Sequence, residues 1–96
     1  MPTVESVTLL ENCLDSSQVK EVTLDGPINE RLMHALVEDG KLSYYSHFPR
    51  PYFRIELAGQ YVIQGIINNT SLRVTFSPQA TVDTEAHLLN QINSSS

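Results

Sequence analysis

The chain has a single cysteine, no tryptophan and only six lysine and arginine residues in 96 positions. The single cysteine, Cys13, excludes an internal disulfide, and the absence of an activating motif beside it predicts an inert thiol. No apolar run reaches the ~18 residues of a transmembrane helix, and the N-terminus lacks the basic and then apolar build of a secretory signal. We therefore expect a cytoplasmic protein without membrane contacts.

Local patterns that carry catalysis or metal binding are also missing. Metal sites usually show close spacings such as C-x-x-C or H-x-x-x-H, and phosphate-binding loops show closely spaced glycines. The four glycines here are isolated. The candidate metal ligands are scattered along the chain: Cys13, His34, His47 and His87. These absences favour a non-enzymatic protein with no metal and no cofactor.

Positive charge is scarce and unevenly placed. The net charge is −5, which makes nucleic acid a poor partner because phosphates must be neutralised by lysine and arginine. Residues 41–80 nevertheless hold four of the six basic residues and a single acid, Glu56, whereas the remainder holds ten acids. One interpretation is that acidic helices balance a basic sheet within the molecule. The other is that the basic residues receive an anionic ligand.

Composition places the chain among globular proteins of one domain, with 41% hydrophobic and 18% charged residues. We expect a single α+β domain over residues 1–93, followed by a disordered tail at 94–96. Its predicted architecture is an antiparallel sheet of four to six strands with two helices packed on one face.

Residues 41–78 predict a β-meander, around which the fold is organised. Residues 52–57 alternate apolar and polar, the period of a strand with one buried face. The three-residue loop Ala58–Gln60 is a common hairpin connection, and Asn68–Asn69 suits a two-residue turn, although a four-residue loop would preserve the same faces. The residues predicted to point inward are Phe53, Ile55, Leu57, Tyr61, Ile63, Gly65, Ile67, Leu72, Val74 and Phe76.

The opposite face of this meander is not purely polar. The residues predicted to point outward are Tyr52, Arg54, Glu56, Val62, Gln64, Ile66, Ser71, Arg73 and Thr75. Val62 and Ile66 stand on the middle strand between neighbours that carry arginines, which leaves two interpretations open. Either the N-terminal segment or a helix covers them, or they are the apolar centre of a contact surface with a polar rim.

The flanking segments predict further strands and two helices. Residues 3–10 and 19–24 are rich in β-branched residues and form either a hairpin or a single regular strand. A first helix is predicted from Pro27 to Asp39, with Gly40 as its stop. Its apolar side comprises Ile28, Leu32, Met33, Leu36 and Val37. A second helix is predicted from about residues 81–83 to Asn93. Its apolar stripe comprises Val82, Ala86, Leu89 and Ile92, with Leu88 beside them.

The best candidate for function is the stretch from His47 to Arg54, in which aromatic rings, two arginines and a histidine surround a stiff Pro-Arg-Pro connection. Tyrosine and arginine often anchor recognition surfaces. The predicted binding residues are His47, Arg50, Tyr52, Arg54, Val62, Ile66 and Arg73. We expect an interaction module that binds a protein partner or a second copy through the outward sheet face. The alternative is a small anionic-ligand-binding or regulatory domain that uses the arginine, tyrosine and histidine cluster.

Overall fold

The computed structural model describes residues 3–12, 17–37 and 40–94, in which six strands form one antiparallel sheet and two helices pack on one of its faces. This confirms the predicted α+β class. In chain order the elements are β1 (Val4–Asn12), β2 (Gln18–Leu24), α1 (Glu30–Val37), β3 (Lys41–Tyr45), β4 (Tyr52–Leu57), β5 (Tyr61–Ile66), β6 (Ser71–Phe76) and α2 (Val82–Ser94). Cys13 and the predicted end of the first helix at Asp39 lie outside the described residues.

The strands lie in the order β1-β2-β6-β5-β4-β3. The predicted meander therefore exists as four neighbouring strands, with β3 at one edge. Both N-terminal segments form strands, and they pair with each other as a hairpin. This hairpin joins the meander through β2 and β6, so β1 becomes the second edge of the sheet.

The predicted inward face of the meander is confirmed. Leu57 lies opposite Tyr61 across the three-residue loop, and Gly59 in that loop has the positive φ of 75° that glycine adopts at no steric penalty. Alternate residues of β4, β5 and β6 are buried, and they form one core with the apolar residues of both helices. The inward residues below 7% exposure on these strands are Phe53, Ile55, Tyr61, Ile63, Leu72, Val74 and Phe76.

The turn between β5 and β6 has the predicted register but a longer connection. Gly65 pairs with Leu72, as the two-residue turn at Asn68–Asn69 requires, yet the strands end at Ile66 and restart at Ser71. Asn68 takes the positive φ of 75°. The intervening backbone pairs elsewhere, because the Asn68 N–H donates to the Ile28 carbonyl and the Ile28 N–H donates to the Asn69 carbonyl, both at 2.8 Å.

The start of the first helix was predicted wrongly. Pro27 precedes the helix, which begins at Glu30, and the cap is the side chain of Asn29, whose Oδ1 accepts the Leu32 N–H at 2.8 Å. The backbone bonds between Ile28 and the β5–β6 turn hold that residue outside the helical hydrogen-bonding pattern. The predicted apolar side is confirmed within the helix, where Leu32, Met33 and Leu36 are buried and Val37 is half-buried, whereas Ile28 is buried before the helix begins.

The apolar stripe of the second helix is rotated from the prediction. Leu88 and Ile92 are fully buried and Leu89 is half-buried, whereas Ala86 is exposed and Val82 is 82% exposed. Thr81 caps this helix, because its Oγ1 accepts the Thr84 N–H at 3.3 Å. The helix extends to Ser94, and the last two residues of the predicted tail are not among the described residues.

Candidate interaction surface

The outer face of the sheet, defined as the strand residues that point away from the helices, is the open face of the molecule. The helices bury their apolar side chains in one cluster with the inward residues of β4, β5 and β6. The nine outward residues predicted on these strands are all exposed or half-buried, with none in the core. β1 does not cover them either, because β2 and β6 separate it from β5.

Val62 and Ile66 are half-buried residues on this open face. Val62 lies between Thr75 on β6 and Glu56 on β4, and Ile66 lies opposite Tyr52 on β4. Among the described residues, both helices pack on the opposite face, and β1 lies beyond β2 and β6 rather than over β5. Val62 shares a depression with residues outside the strands such as Ser17 and Pro78, and Ile66 shares another with Tyr52 and Asn69.

A polar row crosses the middle of the outer face, with one residue from each strand in register. In sheet order the row is Thr8, Glu21, Arg73, Gln64, Arg54 and Ser43. Gln64 separates the two arginines, and two strand spacings of ~4.8 Å put their backbones roughly 10 Å apart. Arg73 lines one depression of the surface and Arg54 lines another, so the two arginines do not share a single pocket.

Acids accompany the arginines along the outer face. Arg54 Nη2 lies 3.6 Å from Glu56 Oε2, and both side chains are about half exposed. Arg73 is the cross-strand neighbour of Glu21. The predicted basic face is thus a surface of mixed charge, which suits a protein partner with both signs of charge better than a ligand that carries only negative charge.

Two shallow depressions flank this polar row. One has a volume of about 220 Å³ and is lined by Glu21, Tyr52, Gln64, Ile66, Asn69 and Arg73, among others. The other, of about 320 Å³, includes Arg54, Glu56, Gln60, Val62, Thr75 and Pro78 in its lining. Each depression thus contains one of the two aliphatic residues and one of the two arginines. Their shape offers places into which side chains of a partner fit.

An aromatic cluster borders the first depression at the β3 side of the sheet. The rings of Tyr45 and Tyr52 stack with centroids 5.6 Å apart, and Phe48 lies 6.0 Å from Tyr45. Tyr45 is 40% exposed and Phe48 is 49% exposed. His47 lies in the turn after β3, where its ring centroid is 4.5 Å from that of Phe48. It does not line either depression.

The structure therefore separates the predicted binding residues into smaller groups. Tyr52, Ile66 and Arg73 line the first depression, and Arg54 and Val62 line the second. Arg50 is exposed, and its Nη2 donates to Asn69 Oδ1 at 3.3 Å. His47 lines neither depression and contacts Phe48 at the far end of the aromatic cluster that includes Tyr52.

Tyr45 is a surface residue that the sequence analysis missed. Its pairing with Tyr52 depends on the hairpin between β3 and β4, whose connection is longer than the common two- or three-residue turns. The signal was nevertheless present in the tyrosines on either side of the Pro-Arg-Pro connection. Two antiparallel strands that meet there place such residues side by side.

Within residues 3–12, 17–37 and 40–94, no group of three histidine, aspartate or glutamate side chains is arranged to hold a metal ion. Over the same residues, neither helix is both long and apolar enough to span a membrane. Comparison with protein-family models, with curated proteins and with solved structures finds no match to this chain.

Proposed function

We propose that this protein is a non-enzymatic interaction module that binds a protein partner, or a second copy of itself, through the outer face of its sheet. The observation that carries the proposal is the position of Val62 and Ile66, two aliphatic side chains on a sheet face that both helices leave open. Residues with this combination of apolar surface and polar surroundings are typical of contact surfaces.

The neighbouring side chains supply the other ingredients of a protein interface. Tyr52 and Tyr45 present stacked rings at one border, and tyrosine contributes large contact area with a hydrogen-bonding group. Arg54 and Arg73 extend into solvent from either side of β5. Arg54 lies close to Glu56, and Arg73 lies opposite Glu21. A partner that presents charges of both signs can replace these ion contacts with its own, so that no charged group is left unpaired in the interface.

Size-exclusion chromatography with light scattering tests the self-associating form of the proposal. The variant Val62→Glu with Ile66→Glu places two carboxylates at the apolar centre, and it is expected to abolish any association of the wild type that passes through the outer face. Val82→Glu is the matched control, because Val82 is 82% exposed on α2, whose apolar residues pack against the opposite face of the sheet.

The partner-binding form is tested by affinity capture with the same three chains. A partner of the outer face must be retained by the wild type and by Val82→Glu, and lost by the double glutamate variant. If all three chains are monomeric and retain the same proteins, the outer face has no such role. Circular dichroism must show that the double variant keeps its sheet.

A small anion remains the second candidate ligand, because Arg73 lines the first depression together with the amide side chains of Gln64 and Asn69. These groups are donors that suit a carboxylate or phosphate. Thermal shift against inorganic phosphate, nucleotides and carboxylate metabolites tests this candidate. The Arg73→Ala variant is expected to lose any stabilisation, and a flat response of the wild type removes the candidate.

A further inference from the structure

Among the described residues, β1 pairs only with β2 and β3 pairs only with β4, and β1 is the more exposed of these two edges. At the start of β1 the Val4 N–H donates to Asn93 Oδ1 of α2 at 2.9 Å. Every residue from Glu5 to Glu11 is exposed. Val7 and Leu9 pair with Val22 and Lys20 on the helix-bearing face, yet they are 37% and 48% exposed because the helices do not extend over them. β1 contains neither lysine nor proline, which commonly protect a sheet edge from pairing, and its two register irregularities leave the stretch from Ser6 to Leu9 regular.

β3, at the other edge, is complementary to β1 in charge and in pattern. Its only charged residue is Lys41, whereas β1 carries Glu5 and Glu11 and no base. Leu42 and Tyr44 are half-buried on the helix-bearing face, where they pair with inward residues of β4. The two edges thus each present apolar residues on the same face of the sheet.

Strand direction permits these two edges to pair. All neighbouring strands are antiparallel, and the sheet has six of them in the described residues, so β1 and β3 run in opposite directions. A second copy in the same orientation therefore places its β3 antiparallel to β1 of the first. Its helices then lie on the same side of the joined sheet.

We propose that β1 pairs with β3 of a second copy and continues the sheet from one molecule to the next. One register places apolar residues opposite apolar residues on the helix-bearing face and opposite charges together on the outer face. It uses the irregularity between Leu9 and Glu11 that β1 already shows in its pairing with β2. Val7 faces Tyr44 of the second copy and Leu9 faces its Leu42 on the helix-bearing side. Glu11 faces Lys41 of the second copy on the outer side, which forms an ion pair across the junction.

Charge favours this pairing over a symmetric contact between two β1 strands. A β1–β1 contact brings four glutamates together without a cation from either strand, and like charges on neighbouring strands are destabilising. The β1–β3 contact is also heterologous: each molecule uses one edge and keeps the other free. Such a contact does not close with two copies and produces chains of increasing length.

Sedimentation velocity on the full chain across a concentration series tests the proposal. The wild type is expected to give a weight-average mass that rises with concentration beyond two copies. Lys41→Glu places a carboxylate opposite Glu11 of the next molecule and is expected to weaken association by at least about tenfold. Since it also places a carboxylate opposite Glu56 of β4, circular dichroism must show that the variant keeps its sheet. Adding Glu11→Lys to the same chain restores opposite charges and is expected to restore association.

A mixture of two blocked chains identifies the heterologous contact. Leu9→Lys blocks β1 and leaves β3 intact, whereas Lys41→Glu blocks β3 and leaves β1 intact. Each chain alone is expected to stay at the monomer mass of 10.8 kDa, and their equimolar mixture is expected to stop at twice that mass. Leu9 is 48% exposed and lies opposite Lys20, whose Nζ is paired with Glu85, so the introduced lysine has room to extend into solvent, and circular dichroism checks that the variant folds.

Three results would overturn the edge contact: a wild type that is monomeric at every concentration, association that Lys41→Glu leaves unchanged, or two blocked chains that do not combine. Association that disappears with Val62→Glu and Ile66→Glu but persists with Lys41→Glu would belong to the outer face. The edge contact and the proposed outer-face function therefore fail separately.

Discussion

Gly65 lies opposite Phe53 in the β4–β5 ladder, and a Cβ atom on Gly65 would come within 2.7 Å of the Phe53 ring carbon Cζ. The same Cβ would lie 2.7 Å from Leu72 Cδ2 on β6. Both neighbours are buried and surrounded by the core. The glycine thus provides the space in which a phenylalanine ring and a leucine from the flanking strands pack against the helices.

Gly65→Ala is expected to lower the free energy of unfolding by about 1–3 kcal/mol, because the added methyl group overpacks a core that has no room to yield. Chemical denaturation of the variant and the wild type measures the difference. Phe53→Leu in the same chain removes the ring atoms nearest the new methyl group. The free energy of unfolding lost by the double variant should therefore be smaller than the sum of the losses of the two single variants. Losses that simply add would contradict the contact between position 65 and the Phe53 ring.

The cap of α1 gives a second prediction. Asn29→Ala removes the acceptor of the Leu32 N–H and is expected to lower the free energy of unfolding by ~1 kcal/mol. Asn29→Asp preserves an acceptor at the same place and should retain most of the stability. Urea denaturation compares the three chains, and equal losses from alanine and aspartate would show that the cap is elsewhere.

Asp25 connects the start of β1 to the end of β2 and makes stability depend on pH. The Thr3 N–H donates to Asp25 Oδ1 at 2.7 Å, and the Thr3 hydroxyl donates to Oδ2 at 2.9 Å. Both bonds lower the pKa of the Asp25 carboxyl, and the bond from the backbone N–H has the larger effect. A carboxyl with a lowered pKa stabilises the fold above its unfolded pKa of about 3.9. That contribution is lost as the pH falls through the folded-state pKa.

Thr3→Ala removes the hydroxyl donor, so the pKa of Asp25 is expected to rise toward its ordinary value. The acid-induced loss of stability attributable to Asp25 should become smaller, because less of its stabilisation exists at neutral pH. Carboxyl-detected NMR titration measures the pKa, with Thr3→Ser as the control that keeps a hydroxyl. A pKa that is the same in the alanine and serine variants would rule out the hydroxyl as a cause.

Lys20 and Glu85 join the sheet to α2 through an ion pair of 2.7 Å between Nζ and Oε1, and their side chains are 21% and 25% exposed. The lysine also lies 5.7 Å from the centre of the Phe76 ring. A double-mutant cycle with Lys20→Met and Glu85→Gln is expected to give a coupling energy of about 0.5–1 kcal/mol that decreases with added salt. A coupling energy that does not change with salt concentration would indicate that packing, rather than charge, joins the two side chains.

Short-range patterns in the sequence determined the meander. The alternation in β4 and the loop of three residues after it decide which side chains of β5 point inward, and both features are local to the chain. Ile63 and Val74 are accordingly buried, while Arg54 and Arg73 are exposed. The same local reasoning located the outer face, including Val62 and Ile66.

Tertiary structure decided the elements whose neighbours are distant in sequence. α1 begins at Glu30 because the backbone of Ile28 bonds to the β5–β6 turn some forty residues later. α2 buries Leu88 and Ile92 instead of Val82 because its contact face depends on where the sheet lies beneath it. Only the sheet order shows that β1 and β3 are its two open edges, since strand neighbours depend on long-range backbone pairing and local periodicity specifies only the faces.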